Sequence, residues 1–233
     1  LLGAIAVHDG AGLAFPEGAL DILERYLKQS FDTPDHLNAY YRPGEPGQPH
    51  YEFHNVREGL FGLVAMARLR DRDWAREKAG AMVRTLAAVT DEEGHWSHAL
   101  AAEAGLADPQ PTGMSDTNAG RVIEPLLAFH RLTGDAEALR LAGLYAKVAA
   151  AATFQPDGTW APTATAHGHI HTNTSTLSGL AEYAVTAGDA ELLALCRRVL
   201  DRGVPQYFSS WGWGDEVTPD HPANVPSRGE TNQ

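Results

Sequence analysis

Two landmarks recur along the chain at matching intervals, and this repeat constrains the fold more than any other feature of the sequence. Aspartates in short turns lie 62 and 54 residues apart, at Asp73, Asp135 and Asp189. Tryptophans in short connecting segments lie 64 and 53 residues apart, at Trp96, Trp160 and Trp213. Because both markers keep nearly the same step, a structural repeat explains them better than coincidence.

Each copy of the repeat has the same plan, a polar segment followed by a helix, a turn and a second helix. The apolar spacing predicts helices over residues 60–70 and 74–89, up to 132 and over 136–152, and over 177–187 and 190–202. A shorter amphipathic helix is predicted over 18–30. Two core-facing stripes are predicted, one of Leu60, Leu63, Val64 and Ala67, the other of Leu192, Leu195, Cys196 and Val199. The turn aspartates stand where an N-cap acceptor belongs, and Cys196 is interpreted as a small buried apolar residue.

Repeated pairs of antiparallel helices predict an all-α fold, an (α/α) toroid of helical hairpins, forming one domain over residues 1–233. The final segment 227–233, Ser-Arg-Gly-Glu-Thr-Asn-Gln, looks like a further polar segment just before its helix. We therefore expect the repeat to continue beyond residue 233, so that the toroid is incomplete in this chain.

Charge and cysteine content exclude several classes of protein. Lys and Arg number 18 against 30 Asp and Glu, and a net charge of −12 argues against a nucleic-acid partner. No run of about 18 apolar residues is present, so no membrane span is predicted. The single cysteine, Cys196, excludes intrachain disulfides and a four-thiolate zinc site. We expect a soluble protein, cytoplasmic or secreted, and the sequence leaves its oligomeric state open.

The segment His167-Gly168-His169-Ile170-His171 is the most concentrated group of titratable side chains. Alternate spacing predicts that the three histidines share one side of an extended segment, and residues 172–176 supply N-cap candidates for the helix that follows. A helix N-terminus with such neighbours suits an oxygen-rich ligand. The plain alternative is a capped helix start with solvated histidines. The three imidazoles also fit a divalent metal, but a polar pocket without metal or other cofactor is favoured.

The polar segments of the three copies are predicted to converge, because the first helices of successive hairpins run parallel. Hydroxyl-rich ligands are bound by Asp, Asn, Arg and His and stacked on by Trp. The candidate substrate-binding residues are His54, Asn55, Arg57, Asn118, Arg121, His167, Asn173, Trp211, Trp213 and Arg228. Glycoside hydrolysis usually takes two carboxyl groups across the scissile bond. The carboxylate candidates are Glu58, Asp116, Asp215, Glu216 and Glu230.

Helix pairs with Gly-x-Trp connectors resemble the six-hairpin (α/α) toroid enzymes of carbohydrate metabolism. Within these, the runs 169–177, 188–189, 211–213 and 229–231 are similar to the β-L-arabinofuranosidase-like glycoside hydrolases. That family uses a cysteine nucleophile on zinc with a Glu-Thr-Cys type sequence. Here Glu230-Thr231 is followed by Asn232 and no cysteine lies nearby. The resemblance therefore implies that the glutamate and histidines are site positions, without the thiolate–zinc mechanism.

These observations predict a glycoside hydrolase acting on an oligosaccharide or polysaccharide. Its catalytic candidates are Glu230, Glu58, Asp116, His169 and His171. The first alternative is a polysaccharide lyase, in which Arg57, Arg121 or Asn118 would hold a uronate carboxylate and His54 or Tyr51 would abstract the proton. The second is a glycan-binding helical repeat without catalysis.

Overall fold

The computed structural model describes residues 10–13, 16, 18–31, 36–37, 40–41, 49–106, 112–210, 212–218 and 229–231. Most of these residues are helical. The helices are α1 (Ala19–Ser30), α2 (Phe53–Leu69), α3 (Asp73–Val89), α4 (His98–Glu103), α5 (Asp116–Ala119), α6 (Ile123–Thr133), α7 (Ala136–Thr153), α8 (Pro162–His167), α9 (Ile170–Ala187) and α10 (Ala190–Arg198). The short strands β1 (Tyr40–Tyr41) and β2 (Pro49–His50) pair with each other, as do β3 (Trp213–Asp215) and β4 (Gly229–Thr231). No helix within these residues is both long and apolar enough to cross a membrane.

The chain forms two compact units. Unit 1 comprises Leu1–Asp91, Ser97–Gly113 and Pro125–Arg140; unit 2 comprises Glu92–Trp96, Met114–Glu124 and Leu141–Gln233. The predicted stripe of Leu60, Leu63, Val64 and Ala67 is buried in unit 1, as expected from its helical spacing. In unit 2, Cys196 and Val199 are buried, while Leu192 and Leu195 are half-buried.

Two helices begin seven residues earlier than predicted, so polar segments expected before them are part of the helices. Helix α2 begins at Phe53 because Phe53, Val56 and Leu60 continue the buried stripe toward the N-terminus. Helix α9 begins at Ile170, with Thr172, Asn173 and Ser175 buried on it. After α10 the chain continues as a π-helix over Val199–Gly203 and a 3₁₀ turn over Val204–Gln206.

The connectors between hairpins share one backbone design. Each turns at a glycine with positive φ: Gly94 (101°), Gly158 (93°) and Gly212 (85°). After the turn, Trp160 pairs with Phe154 and Gly214 pairs with Phe208, so both members of the pair are shifted by 54 residues. Gly214, and not Trp213, is therefore the repeat equivalent of Trp160. The sequence-based alignment of Trp213 with the other two tryptophans was wrong by one residue.

Two of the three predicted aspartate caps are confirmed. Asp189 accepts the backbone N–H of Leu192 at 2.9 Å, and Asp135 accepts that of Ala138 at 2.9 Å. Asp73 is instead the first residue of α3, where it binds Arg76. The N-cap there is Arg72, whose side chain makes no capping bond. The turn before α3 thus places Asp73 one residue too late to act as an acceptor for the first turn.

These caps give a test with an internal control. We expect Asp189→Ala to lower the free energy of unfolding by about 1 kcal/mol, because the N–H of Leu192 loses its acceptor. Asp73→Ala removes only an exposed ion pair with Arg76, so it should change stability by less than about 0.5 kcal/mol. Urea denaturation monitored by far-UV circular dichroism measures both. Equal effects would contradict the assignment of Asp189 as a cap and Asp73 as a first-turn residue.

Cys196 is buried, as predicted, with 2% of its surface exposed. Burial raises the pKa of its thiol to about 11. Since the thiolate is the reactive form, we expect native Cys196 to react with iodoacetamide at least ~100-fold more slowly than in urea at pH 8. Mass spectrometry of the alkylated protein measures the two rates. Rapid labelling without denaturant would show that α10 opens readily.

Candidate active site

The histidine segment joins two helices and is not extended throughout, as the sequence had predicted. His167 ends α8, Gly168 takes a left-handed conformation (φ 75°), and His169 is the N-cap of α9. His169 Nδ1 accepts the backbone N–H of Thr172 at 3.2 Å. His171 lies in the first turn of α9, and its ring stands edge-on to that of His169, 5.9 Å between centroids. The side chain of His167 lies outside the described residues.

A hydrogen-bonded chain of three residues fixes how His169 is held. Arg121, which is buried, donates from Nη2 to Thr172 Oγ1. Thr172 Oγ1 lies 3.0 Å from His169 Nδ1. Because arginine only donates, the hydroxyl proton of Thr172 is directed to His169, whose Nδ1 already accepts the Thr172 N–H. The neutral ring therefore carries its proton on Nε2, with its orientation set by α9 and Arg121.

A second imidazole, His95, lies beside Asp116, with Nδ1 2.8 Å from Oδ1. Asp116 is the first residue of α5, and His95 stands in the Gly94–Trp96 connector. Both side chains are close to half exposed, which leaves the pair accessible to a ligand. A carboxylate that holds one nitrogen of an imidazole orients the ring for proton transfer. The sequence identified Asp116 but not His95, because a single histidine in a short connector carries no pattern of its own.

The backbone around β3 links the predicted glutamate strand to the histidine segment. Gly214 in β3 pairs with Glu230 in β4. Three residues further along the same strand direction, Val217 pairs with His169, and Ile170 donates to the carbonyl of Glu216 at 3.1 Å. Thus one short stretch of chain, residues 213–217, contacts both predicted parts of the site. The side chains of Asp215 and Glu230 lie outside the described residues, as do Trp211 and Arg228 entirely.

Asn173 is a buried amide without a hydrogen-bond partner in the described part of the chain. Only 1% of the residue is exposed, and both Nδ2 and Oδ1 are unpaired there. Leaving such a group unsatisfied costs about 1–3 kcal/mol. An amide at this position, two residues after His171, is suited to accept or donate to a bound hydroxyl group or water.

Several predicted binding residues are engaged in internal contacts instead. Asn118 donates to Ser115 Oγ at 3.1 Å. In unit 1, on α2, Arg57 pairs with Glu58 and its guanidinium lies 5.3 Å from the ring centre of Phe61. His54, Asn55, Arg57 and Glu58 therefore belong to α2 and not to a separate polar segment before it. Trp213 is half-buried on β3.

The described residues contain no group of three or more His, Cys, Asp or Glu side chains placed to hold a metal ion. His169 Nδ1 is turned toward Thr172, so the nitrogen that would serve a metal on that side is already an acceptor for the protein's own N–H group. The geometry of the cluster is that of a hydrogen-bonding, proton-transferring site with three imidazoles, His95, His169 and His171.

Comparisons with known proteins address the fold. No protein-family model matches the sequence, and no curated protein matches it significantly. The solved structure of cellobiose 2-epimerase from Bacillus thermoamylovorans B4167 is similar, with a TM-score of 0.58 over 83% of this chain and 13% sequence identity. The chain spans 56% of the length of that structure.

The likeness confirms the predicted fold class. The protein has the all-α architecture of the (α/α) toroid, in which helical hairpins repeat around a ring. It supports the toroid part of the resemblance drawn from the sequence, whereas the more specific likeness to β-L-arabinofuranosidases stays a prediction.

Proposed function

We propose that the protein is a glycoside hydrolase whose reaction takes place at the polar cluster of unit 2. The observation that carries the proposal is the strand of residues 213–217, which pairs with Glu230 on one part and with His169 on another. A glutamate and a fixed imidazole are thereby supplied to one region by residues that are far apart in sequence. Four of the five predicted catalytic residues, Asp116, His169, His171 and Glu230, belong to this unit.

The roles follow from chemistry. Hydrolysis needs an acid to protonate the leaving oxygen and a carboxylate to act as base or nucleophile on the other side of the sugar. In this proposal Glu230 and Asp116 supply the two carboxyl groups, and His95 positions Asp116 through their hydrogen bond. His169 and His171 contact the sugar, with His169 offering its Nε2 proton to a hydroxyl group. Asn173 and Trp213 add a buried amide and an aromatic face for the ring.

Epimerisation or isomerisation of a sugar is the second candidate. It is favoured by the three imidazoles, since removal of a proton from a carbon next to a carbonyl group needs a neutral base that works near pH 7. The similar structure is that of a 2-epimerase, which agrees with this chemistry on the same fold. The lyase has less support, because Arg121 donates to Thr172 and Arg57 to Glu58, and Tyr51 is buried.

One assay separates these reactions. The protein is incubated in D₂O with a panel of neutral and uronate-containing glycans, with and without chelator. Hydrolysis yields new reducing ends without deuterium on carbon. Epimerisation yields deuterium at a sugar carbon without new reducing ends, and elimination yields an unsaturated product that absorbs in the ultraviolet. Binding of glycans without any of these products would contradict the proposal and favour the non-catalytic alternative.

A further inference from the structure

Unit 2 carries an open groove along α9. Its volume is about 670 Å³. One wall is a stripe of α9, and the other is formed by the π-helix, the 3₁₀ turn and the connector that follows. The lining residues are Thr174, Leu177, Ser178, Ala181, Leu200, Val204, Pro205, Phe208, Ser209, Ser210 and Gly212. All are uncharged, so this α9 groove suits an apolar occupant with few polar groups.

The α9 groove repeats an interface that the preceding hairpin makes with α9 itself. A Cβ on Gly179 would lie 2.9 Å from the Cβ of Ile123, and Ser178 donates to Glu124. Gly120 is likewise in close contact with Thr176. Three consecutive contact positions, 120, 123 and 124, thus receive a helix of the next copy.

The same three positions recur one repeat later in the groove. The turn glycines Gly134 and Gly188 are both left-handed and lie 54 residues apart, as do the connector pairs described above. Adding 54 to positions 120, 123 and 124 gives Thr174, Leu177 and Ser178, all of which line the groove. The groove therefore has the register of a surface that receives a helix.

The connector glycines give an independent indication. A Cβ on Gly94 would lie 2.8 Å from the carbonyl oxygen of Leu144, and one on Gly158 would overlap the carbonyl of Arg198. Leu144 and Arg198 are themselves 54 residues apart, so each connector is covered by the second helix of the next hairpin. Gly212 is the third such glycine, and no atom in the described part of the chain lies within 4 Å of its Cβ position. The helix that covers this position in the earlier copies is not supplied by the described residues.

Exposed apolar side chains occur in two places among the described residues. Val185, Leu193 and Leu200 lie on the last hairpin and the π-helix that follows it. The others, Leu13, Ile22, Leu23 and Tyr26, lie on or just before α1. On α1, residues 22, 23 and 26 are spaced to form one helical face. That face is amphipathic, as predicted, but no residue of α1 is buried.

We propose that the α9 groove of one copy binds the exposed face of α1 of a second copy, head to tail. The contact continues the helix-on-helix interface that α9 makes with positions 120, 123 and 124, and it places a helix beside Gly212. Both exposed apolar faces are covered by this single contact. Because the two faces differ, the interface is heterologous, and it closes only when the rotation between copies returns to the first copy.

The test is the mass in solution, measured by size-exclusion chromatography with light scattering. Wild type is expected at twice the chain mass or more. Ala181→Glu in the groove and Leu23→Glu on α1 each place a charge in the contact and should give monomers. An equimolar mixture of the two variants should restore a dimer, because each variant keeps one intact surface. Ala151→Glu, on an exposed position of α7, is the matched control and should leave the mass unchanged.

Two outcomes overturn the proposal. A wild-type monomer at every soluble concentration would show that a second copy does not occupy the groove, and would leave a small apolar ligand or another helix as its occupant. Failure of the mixture to form a dimer would exclude the head-to-tail arrangement. Circular dichroism checks folding, and Leu200→Glu, at a side chain 57% exposed, tests the groove again without introducing a charge into a buried site.

Discussion

Gly158→Ala is expected to destabilise unit 2 by roughly 2–5 kcal/mol. Gly158 has φ 93°, where an L side chain is strained by about 1–2 kcal/mol. The new methyl group would also overlap the carbonyl of Arg198, and relief of such overpacking costs a further ~1–3 kcal/mol. The contact cannot relax easily because Gly203 is pressed against Trp160 on the same connector, with a Cβ there 2.9 Å from the indole ring.

The matched control is Gly188→Ala. Gly188 has φ 71°, but no described atom lies within 4 Å of its Cβ position. Only the backbone term remains, so we expect a loss of about 1 kcal/mol. Urea denaturation monitored by near-UV circular dichroism reports the packing of Trp160 in both variants. A loss at Gly158 no larger than that at Gly188 would show that the connector does not press against α10.

The repeat could be predicted from sequence because its markers depend on local chemistry. A turn aspartate caps a helix wherever it stands one residue before the first turn, as Asp135 and Asp189 do. Helix starts were placed less well, because the polar side chains of residues 54–58 hid a buried stripe that already begins at Phe53. A tryptophan likewise marks a connector only approximately, since backbone pairing and not residue type decides that Gly214 takes the position of Trp160.

The site was predicted in part for a similar reason. Asp116, His169 and His171 stand at helix starts, which sequence patterns locate. His95 was missed because its partner, Asp116, lies 21 residues away and the pairing arises only from packing. The burial of Arg121 against Thr172 depends on two helices meeting, so the sequence offered Arg121 as a ligand for substrate when the fold uses it to hold His169.

The strongest effect on activity is expected at His169, where two roles must be separated. His169 Nδ1 caps α9 by accepting from Thr172, and its Nε2 is the group assigned to the sugar. Asparagine is a good N-cap whose Oδ1 replaces Nδ1 as acceptor but which has no group that titrates near pH 7. We therefore expect His169→Asn to melt within about 1 °C of wild type and to lower kcat ~100- to 10,000-fold in whichever reaction the glycan panel reveals.

His169→Ala completes the comparison, because it removes the cap and the imidazole together. Its kcat should fall as far as that of His169→Asn, and its stability should fall by a further ~1 kcal/mol. The pH dependence of kcat/KM distinguishes proton transfer from simple contact, since a titrating imidazole leaves a limb near neutral pH that both variants would lose. If His169→Asn keeps wild-type kcat and pH profile, then His169 serves α9 only as a cap, and the acid–base groups must be sought at His171 and at the His95–Asp116 pair.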